Sequence, residues 1–401
     1  MYLRIALALA ALAAAGCTSS TFIDDVAFLN RHTDVVILTP ERTSNAKIAV
    51  CPKLQGRVMT STAGWSGSQS FGWINRELIA SGESRKHINA FGGEDRFWLG
   101  PEGGQFSIFF AKGAPQDLTY WQTPAPIDSE PFDVARTEVD NMLLRKKMRI
   151  VNASGTAFDL ELQREIRMLH EKDPGRILGI QPDEGVRWVG YQTRNKVTNT
   201  SDRDWKRENG LLSVWILGMF NPSPATTVVI PFKQGPEDKL GPIVNDAYFG
   251  KVSGDRLKVE SGVLYFKGDG QKRSKIGVSP RRSMGVLGSY DEANGVLTII
   301  HFNQPKGAVD YVNSMWEIQK EPFSGDAANS YNDGPASPGA TPLGPFYELE
   351  SSSPALPLKA GLSFTHVHST FHFQGSPEEL DKIARRILGT GVAQIATALS
   401  K

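Results

Sequence analysis

Ala157-Phe158-Asp159-Leu160-Glu161-Leu162-Gln163-Arg164-Glu165-Ile166-Arg167-Met168 places an apolar residue at every second position, with Arg164 the one exception on that parity. Side chains of an extended strand alternate between its two faces, so Phe158, Leu160, Leu162, Ile166 and Met168 share one face. The spacing predicts a long, half-buried antiparallel strand. Working outward, the segments Ile48 to Thr60, Phe106 to Phe110, Met142 to Val151, Val186 to Val197, Leu211 to Phe220, Thr226 to Pro231 and Gly262 to Lys267 read as further strands. Asn294-Gly295, between Gly285–Tyr290 and Val296–Phe302, is a hairpin signal, because a two-residue turn of the required hand favours positive φ at both positions. Turns rich in Gly, Pro, Asn and Asp separate nearly all these runs, and no strand–helix–strand alternation occurs. The pattern predicts an all-β architecture, a large sandwich.

Helices are expected only near the ends. Phe22 to Asn30 suits one short helix. At the other end Ser376-Pro377-Glu378-Glu379 supplies an N-cap, a first-turn proline and a capping-box glutamate, followed by Leu380, Ile383, Ala384, Ile387 and Leu388 at helical spacing. The chain opens with Met1-Tyr2-Leu3-Arg4, an apolar run Ile5 to Ala15, and Gly16-Cys17. One positive charge, a short apolar core and small residues describe an export signal, and a cysteine at this place suggests lipidation of Cys17, with an ordinary cleaved signal as the alternative. The expected organisation is a signal over 1–16, a tether and short helix over 17–30, a β-sandwich over 31–375 and a C-terminal helix over 376–401. On this reading the protein is exported and meets a membrane only through its lipid, facing periplasm or cell surface.

With Cys17 lipidated, Cys51 is the single remaining thiol, so no intramolecular disulfide forms and stability rests on a core. The net charge is +1 with both signs interspersed, so there is no field to attract nucleic acid. Gly92-Gly93-Glu94-Asp95-Arg96-Phe97-Trp98-Leu99-Gly100-Pro101-Glu102-Gly103-Gly104 packs three acids, an arginine and a tryptophan among five glycines. Glycines permit close backbone approach, and carboxylates, a guanidinium and an indole are groups that grip polyhydroxylated molecules. Trp98 and Trp316, flanked by Arg96 and Glu317, suit a cleft, whereas Trp188 and Trp215 sit in alternating strands and read as core. Asp333, in an Asn-Asp-Gly-Pro loop, suits a ligand hydroxyl or a turn.

A second concentration runs from Gly344-Pro345-Phe346-Tyr347-Glu348-Leu349-Glu350 through Leu358-Lys359-Ala360-Gly361 to Thr365-His366-Val367-His368-Ser369-Thr370-Phe371-His372. His366, His368, Thr370 and His372 share one strand face, about 7 Å apart in steps of two. His366 and His368 form a usable clamp, with Glu348 or Glu350 nearby, so a divalent metal is one alternative; otherwise no cofactor is expected.

The order of a strand ending in Leu349-Glu350, a proline loop, a Leu-Lys-x-Gly turn and an aromatic strand resembles the C-terminal part of aldose 1-epimerases, the galactose mutarotases. Gly92–Gly104, Asn313-Ser314-Met315-Trp316-Glu317, Asn329-Ser330-Tyr331-Asn332-Asp333-Gly334-Pro335 and the Glu348–His372 region resemble more closely a group of bacterial proteins, often lipid-anchored, with the galactose mutarotase-like β-supersandwich. That resemblance implies this fold with a short C-terminal helix, a carbohydrate ligand, Glu350 as general base and Arg96 at the sugar. Glu94, Asp95, Trp98, Trp316, Glu317, Asp333 and Glu348 are the accompanying substrate-binding candidates. The family's acid is a mid-chain histidine, and Asn195 to Phe220 contains none, which leaves His301 or His368 for the role. The alternatives are a non-catalytic glycan-recognition lipoprotein and a polysaccharide lyase or hydrolase on the same fold.

Overall fold

In the computed structural model, which describes residues 20–41, 44–65 and 67–400, Ala157–Met168 is one strand with every second residue from Phe158 buried. The export segment and Cys17 lie outside the described residues. Ala157–Met168 pairs antiparallel with Asn141–Val151 and Arg187–Asn199. These belong to a ten-stranded antiparallel sheet, which continues through Ser363–Gln374, Val296–Phe302, Val286–Asp291, Thr226–Pro231 and Val263–Lys267 to Leu257–Glu260, with Asp133–Thr137 at its opposite edge. A five-stranded antiparallel sheet, in the order Ser274–Val278, Ala328–Asn332, Tyr347–Ser352, Ser213–Phe220 and Arg96–Gly100, lies against it.

The inner faces of the two sheets make the core, as the expected sandwich requires. Phe97, Leu99, Val214 and Ile216 pack with Leu144, Leu160 and Leu162 of the large sheet. Ile276 and Leu349 pack with Val228, Leu264 and Ile300. Each such side chain stabilises the fold by about 1.5–3 kcal/mol on burial. Arg164 also points inward: its Nη2 stands 2.5 Å from Asp95 Oδ1, Nη1 donates to Asn195 Oδ1 at 2.6 Å and Nε donates to the Gly56 carbonyl at 3.0 Å. A buried charge persists only when paired and hydrogen-bonded in this way, which is why an arginine can occupy an apolar parity.

Three local expectations are corrected. The Ile48–Thr60 run is two strands, Lys47–Cys51 and Arg57–Thr62, because a 3₁₀ turn at Pro52–Leu54 and left-handed Gln55 (φ 57°) reverse the chain. Phe106–Phe110 is a turn in which Ser107 Oγ accepts from the Phe109 and Phe110 amides at 2.9 and 3.2 Å, a local bond that competes with strand pairing. The Asn294-Gly295 connection is longer than two residues, since Asp291 pairs with Val296 and its carboxylate accepts from the Ala293 amide at 3.1 Å and the Asn294 amide group at 2.6 Å.

Phe22–Asn30 is a helix. Pro377–Leu388 begins with the expected capping box from Ser376 and Glu379 and ends at left-handed Gly389, after which Val392–Thr397 adds a further turn. Leu380, Ile383, Leu388 and Ile395 pack on Leu297, Ile299, Phe371 and Phe373, on the outer face of the large sheet. Among the described residues, no helix is long and apolar enough to cross a membrane.

Candidate functional site

Because side chains alternate, the residues of the small sheet that do not enter the core project from its outer face. Arg96 lies opposite Leu217, which lies opposite Glu350; Met219 lies opposite Glu348, then Tyr331, then Lys275. Neighbouring strands are ~4.8 Å apart, so the Arg96 and Glu350 backbones stand about 10 Å from each other. Over this face lies a cavity of about 230 Å³, whose lining includes Arg96, Trp98, Glu102, Arg273, Lys275, Trp316, Asp333 and Glu348.

Two buried pairs of a basic side chain with a carboxyl group stand side by side there. Arg96 Nη2 is 3.0 Å from Glu348 Oε1, and its guanidinium lies 4.1 Å from the Trp98 ring centre. Lys275 Nζ is 3.0 Å from Glu350 Oε2, which also accepts from the Trp215 indole N–H at 2.9 Å. The Lys275 ammonium sits 4.6 Å from the Trp215 ring centre. Around these pairs, Arg96 Nε and Nη1, Glu350 Oε1 and the indole N–H groups of Trp98 and Trp121 are buried without a protein partner. A buried polar atom left unpaired costs ~1–3 kcal/mol, so the convergence of the arginine and indole donors on one cavity marks a place where a polar ligand completes the bonding.

Burial also governs the protonation states. It pushes the Glu348 carboxyl up to about 8; Arg96 opposes this and the neighbouring Glu350 charge adds to it. Burial raises Glu102 as well. Asp333 is raised by burial although its oxygens accept from the Tyr331 hydroxyl at 2.7 Å and the Gly344 amide at 2.9 Å. Burial disfavours the Lys275 ammonium, but Glu350, Glu102 and Glu348 together hold its pKa above the ordinary lysine value. The site therefore combines one carboxyl that keeps its proton past neutrality, Glu348, with a fixed cation.

The glycine-rich run positions the far wall. A Cβ on Gly103 would lie 2.2 Å from the Met315 carbonyl, so only glycine allows the Met315-Trp316 backbone to come this close. Glu102 N donates to Ser314 Oγ at 3.1 Å, and Gln105 and Gln319 exchange two bonds at 2.9 and 3.0 Å, fixing that loop against the run. Trp316 then stacks on Trp121 with ring centres 5.9 Å apart.

Of the residues expected at a ligand, Arg96, Trp98, Trp316, Asp333 and Glu348 line the cavity, and Glu350 lies fully buried beside it. The others go elsewhere. Glu94 Oε2 accepts from Ser61 Oγ at 2.8 Å and Tyr191 Oη at 3.2 Å and lies 3.0 Å from His372 Nε2, inside the sandwich. Asp95 is spent on Arg164. Glu317 is exposed on the Trp316 loop, which is not a strand. His301 pairs with Ser369 and is thus on the opposite face of its sheet from His368, which is turned into the core. His366 Nε2 and His368 Nδ1 both lie 2.8 Å from Ser351 Oγ, so the proposed metal clamp is closed around a hydroxyl. Burial lowers both imidazoles to about 3, keeping them neutral. Among the described residues, no group of three or more His, Cys, Asp or Glu is arranged to hold a metal ion.

Sequence reading missed Lys275, Arg273 and Trp121, and assigned Trp215 to the core although it also lines the cavity. A signal existed for Lys275: it falls on the parity opposite Ile276 and Val278, in a five-residue strand too short to stand out.

The chain belongs to the DUF6786 family, a family of unknown function whose model matches residues 20–399. No curated protein matches it. Similar solved structures are the Slr1438 protein from Synechocystis sp. PCC 6803, with 13% identity, 86% of this chain and 96% of that chain covered and a TM-score of 0.48. A galactose mutarotase-like protein from Lactobacillus casei shows 10% identity, 84% and 100% coverage and a TM-score of 0.46. A galactose mutarotase related enzyme from Lactobacillus acidophilus shows 10% identity, 86% and 98% coverage and a TM-score of 0.46.

Proposed function

We propose that this member of the DUF6786 family binds a carbohydrate ring in the cavity over the small sheet and interconverts its anomers by proton transfer. One observation carries the reading: two buried pairs, Arg96 with the Glu348 carboxyl and Lys275 with the Glu350 carboxylate, stand beneath tryptophan walls together with unpartnered buried donors and one unpartnered carboxylate oxygen. Aromatic faces suit the apolar faces of a sugar, and the free N–H groups suit its hydroxyls. The cavity, at about 230 Å³, is on the scale of a single ring.

Anomer exchange needs a base at the anomeric hydroxyl and an acid at the ring oxygen. Glu350, through the partnerless Oε1, takes the first role. Glu348, two residues earlier on the same strand face and protonated to about pH 8, takes the second in place of a histidine. The C1–O5 bond breaks as the two protons move, the carbonyl rotates, and ring closure from the other face returns both protons. The export-like Met1–Cys17 segment supports a location outside the cytoplasm, with the chain anchored by lipid at Cys17.

A second reading, glycan recognition without catalysis, draws on the complete burial of Glu350 and on the two bonds its Oε2 already receives, which suit a strut under the floor. Tryptophan fluorescence titration with a panel of monosaccharides tests the shared half. Saturable quenching is expected, and it should be lost in Trp98→Leu. A wild-type signal that ignores every saccharide would remove the carbohydrate from the account.

A further inference from the structure

Resting on the carbohydrate reading, we infer that the ligand carries an anionic substituent, a carboxylate or phosphate, which docks on Arg273 at the cavity wall. The other two basic groups of the cavity each already contact a carboxyl group, Arg96 that of Glu348 and Lys275 that of Glu350. Arg273 is different. Among the described residues no carboxylate lies within salt-bridge distance of its guanidinium and no hydrogen bond ties it down; its guanidinium carbon instead stacks 3.7 Å from the Phe249 ring centre and 5.9 Å from that of Trp316. Stacking on two aromatic faces holds the guanidinium plane while leaving its N–H fork free, the arrangement suited to bidentate capture of a carboxylate or phosphate.

A second observation points the same way. Arg96 is 2% exposed and lines the same cavity, yet its Nε and Nη1 have no partner. A buried guanidinium with open donors is costly unless a ligand completes its bonding. Burial shifts Glu102, Asp333 and Glu348 towards their neutral forms, which weakens the negative charge set against these cationic donors. A neutral sugar would leave the Arg273 fork unanswered. An acidic one places its ring on the tryptophans and its anion on Arg273.

Isothermal titration of the full chain, with a neutral hexose, the corresponding uronic acid and the corresponding sugar phosphate, tests this. The acidic sugars are expected to bind at least about tenfold more tightly than the neutral one, with a preference that weakens as salt rises; the better of the two acids identifies the anion. In Arg273→Gln the ratio of acidic to neutral affinity should collapse towards one, and Arg273→Lys should restore part of it. Arg273 is only partly buried at a strand edge, and circular dichroism of each variant separates a lost contact from a lost fold. A neutral hexose binding as well as its acidic partners, or a preference that survives Arg273→Gln, overturns the inference and leaves the carbohydrate reading standing. Binding of inorganic phosphate or a simple carboxylate without any sugar overturns the carbohydrate reading instead, and no binding of any probe overturns both.

Discussion

Replacing Glu348 by glutamine removes a titration while keeping a hydrogen bond. Burial lifts this carboxyl from 4.5 to about 8, although Arg96 Nη2 stands 3.0 Å from Oε1. Between those values the unfolded chain has released its proton and the folded chain retains it, so stability falls as pH rises through that window. Below it both states are protonated, and above it both are ionised, so the contribution is constant on either side. At about 1.4 kcal/mol per pH unit, the loss in the wild type amounts to at most about 5 kcal/mol. The glutamine amide does not titrate, and its carbonyl oxygen can accept from Arg96 as Glu348 Oε1 does. Urea denaturation of both proteins from about pH 5 to about pH 9 reads the effect directly. The variant should lose less stability than the wild type as pH rises, with the difference between them growing in its favour. Parallel pH dependences would refute the claim that Glu348 is protonated in the folded protein at neutral pH, and with it the assignment of Glu348 as the acid.

Three further outcomes follow from the interior. Asp95→Asn leaves Arg164 fully buried opposite a neutral group and should destabilise the fold by about 3–5 kcal/mol, while the double variant Asp95→Asn/Arg164→Met should be less damaged than the single changes together; denaturation midpoints measure both. His366 and His368, lowered to about 3 by burial, bind protons in the unfolded chain from about 6.5 downward, so their contribution to stability is present above that value and is lost as pH falls towards 3; imidazole NMR should show both rings neutral at about pH 5. Because both rings engage Ser351, the metal content of purified protein should be the same in wild type and in His366→Ala/His368→Ala, as elemental analysis would report.

The strand pattern was legible where one face is buried and the other wet, as in Ala157–Met168, because burial writes itself as period two. It failed where backbone geometry decides: Gln55 turns left-handed in the middle of an apolar run, and Ser107 bonds its own neighbours. In the site, Arg96 and Trp98 were visible because glycines surround them, and Trp316 because a charged residue flanks it. Their neighbours Glu94 and Asp95 looked equally exposed to ligand, yet the alternation of a single strand sends Arg96 outward and Asp95 inward to Arg164. The histidines of Thr365–His372 were correctly placed on one face, but which face looked at a ligand depended on sheet packing that no local pattern encodes. Lys275 was missed for a similar reason, since its meaning comes from Glu350 across two strands.

The most direct test of the central claim is anomer exchange measured by NMR on the sugar that binds best, with wild type and Glu350→Gln compared at equal saturation. The account predicts that the wild type accelerates exchange, and that the variant still binds but loses at least about a hundredfold of the acceleration, as removal of a general base should cause. Equal exchange rates with and without Glu350, in a protein that binds the sugar, would contradict it and leave a binding site whose buried carboxyl groups serve recognition alone.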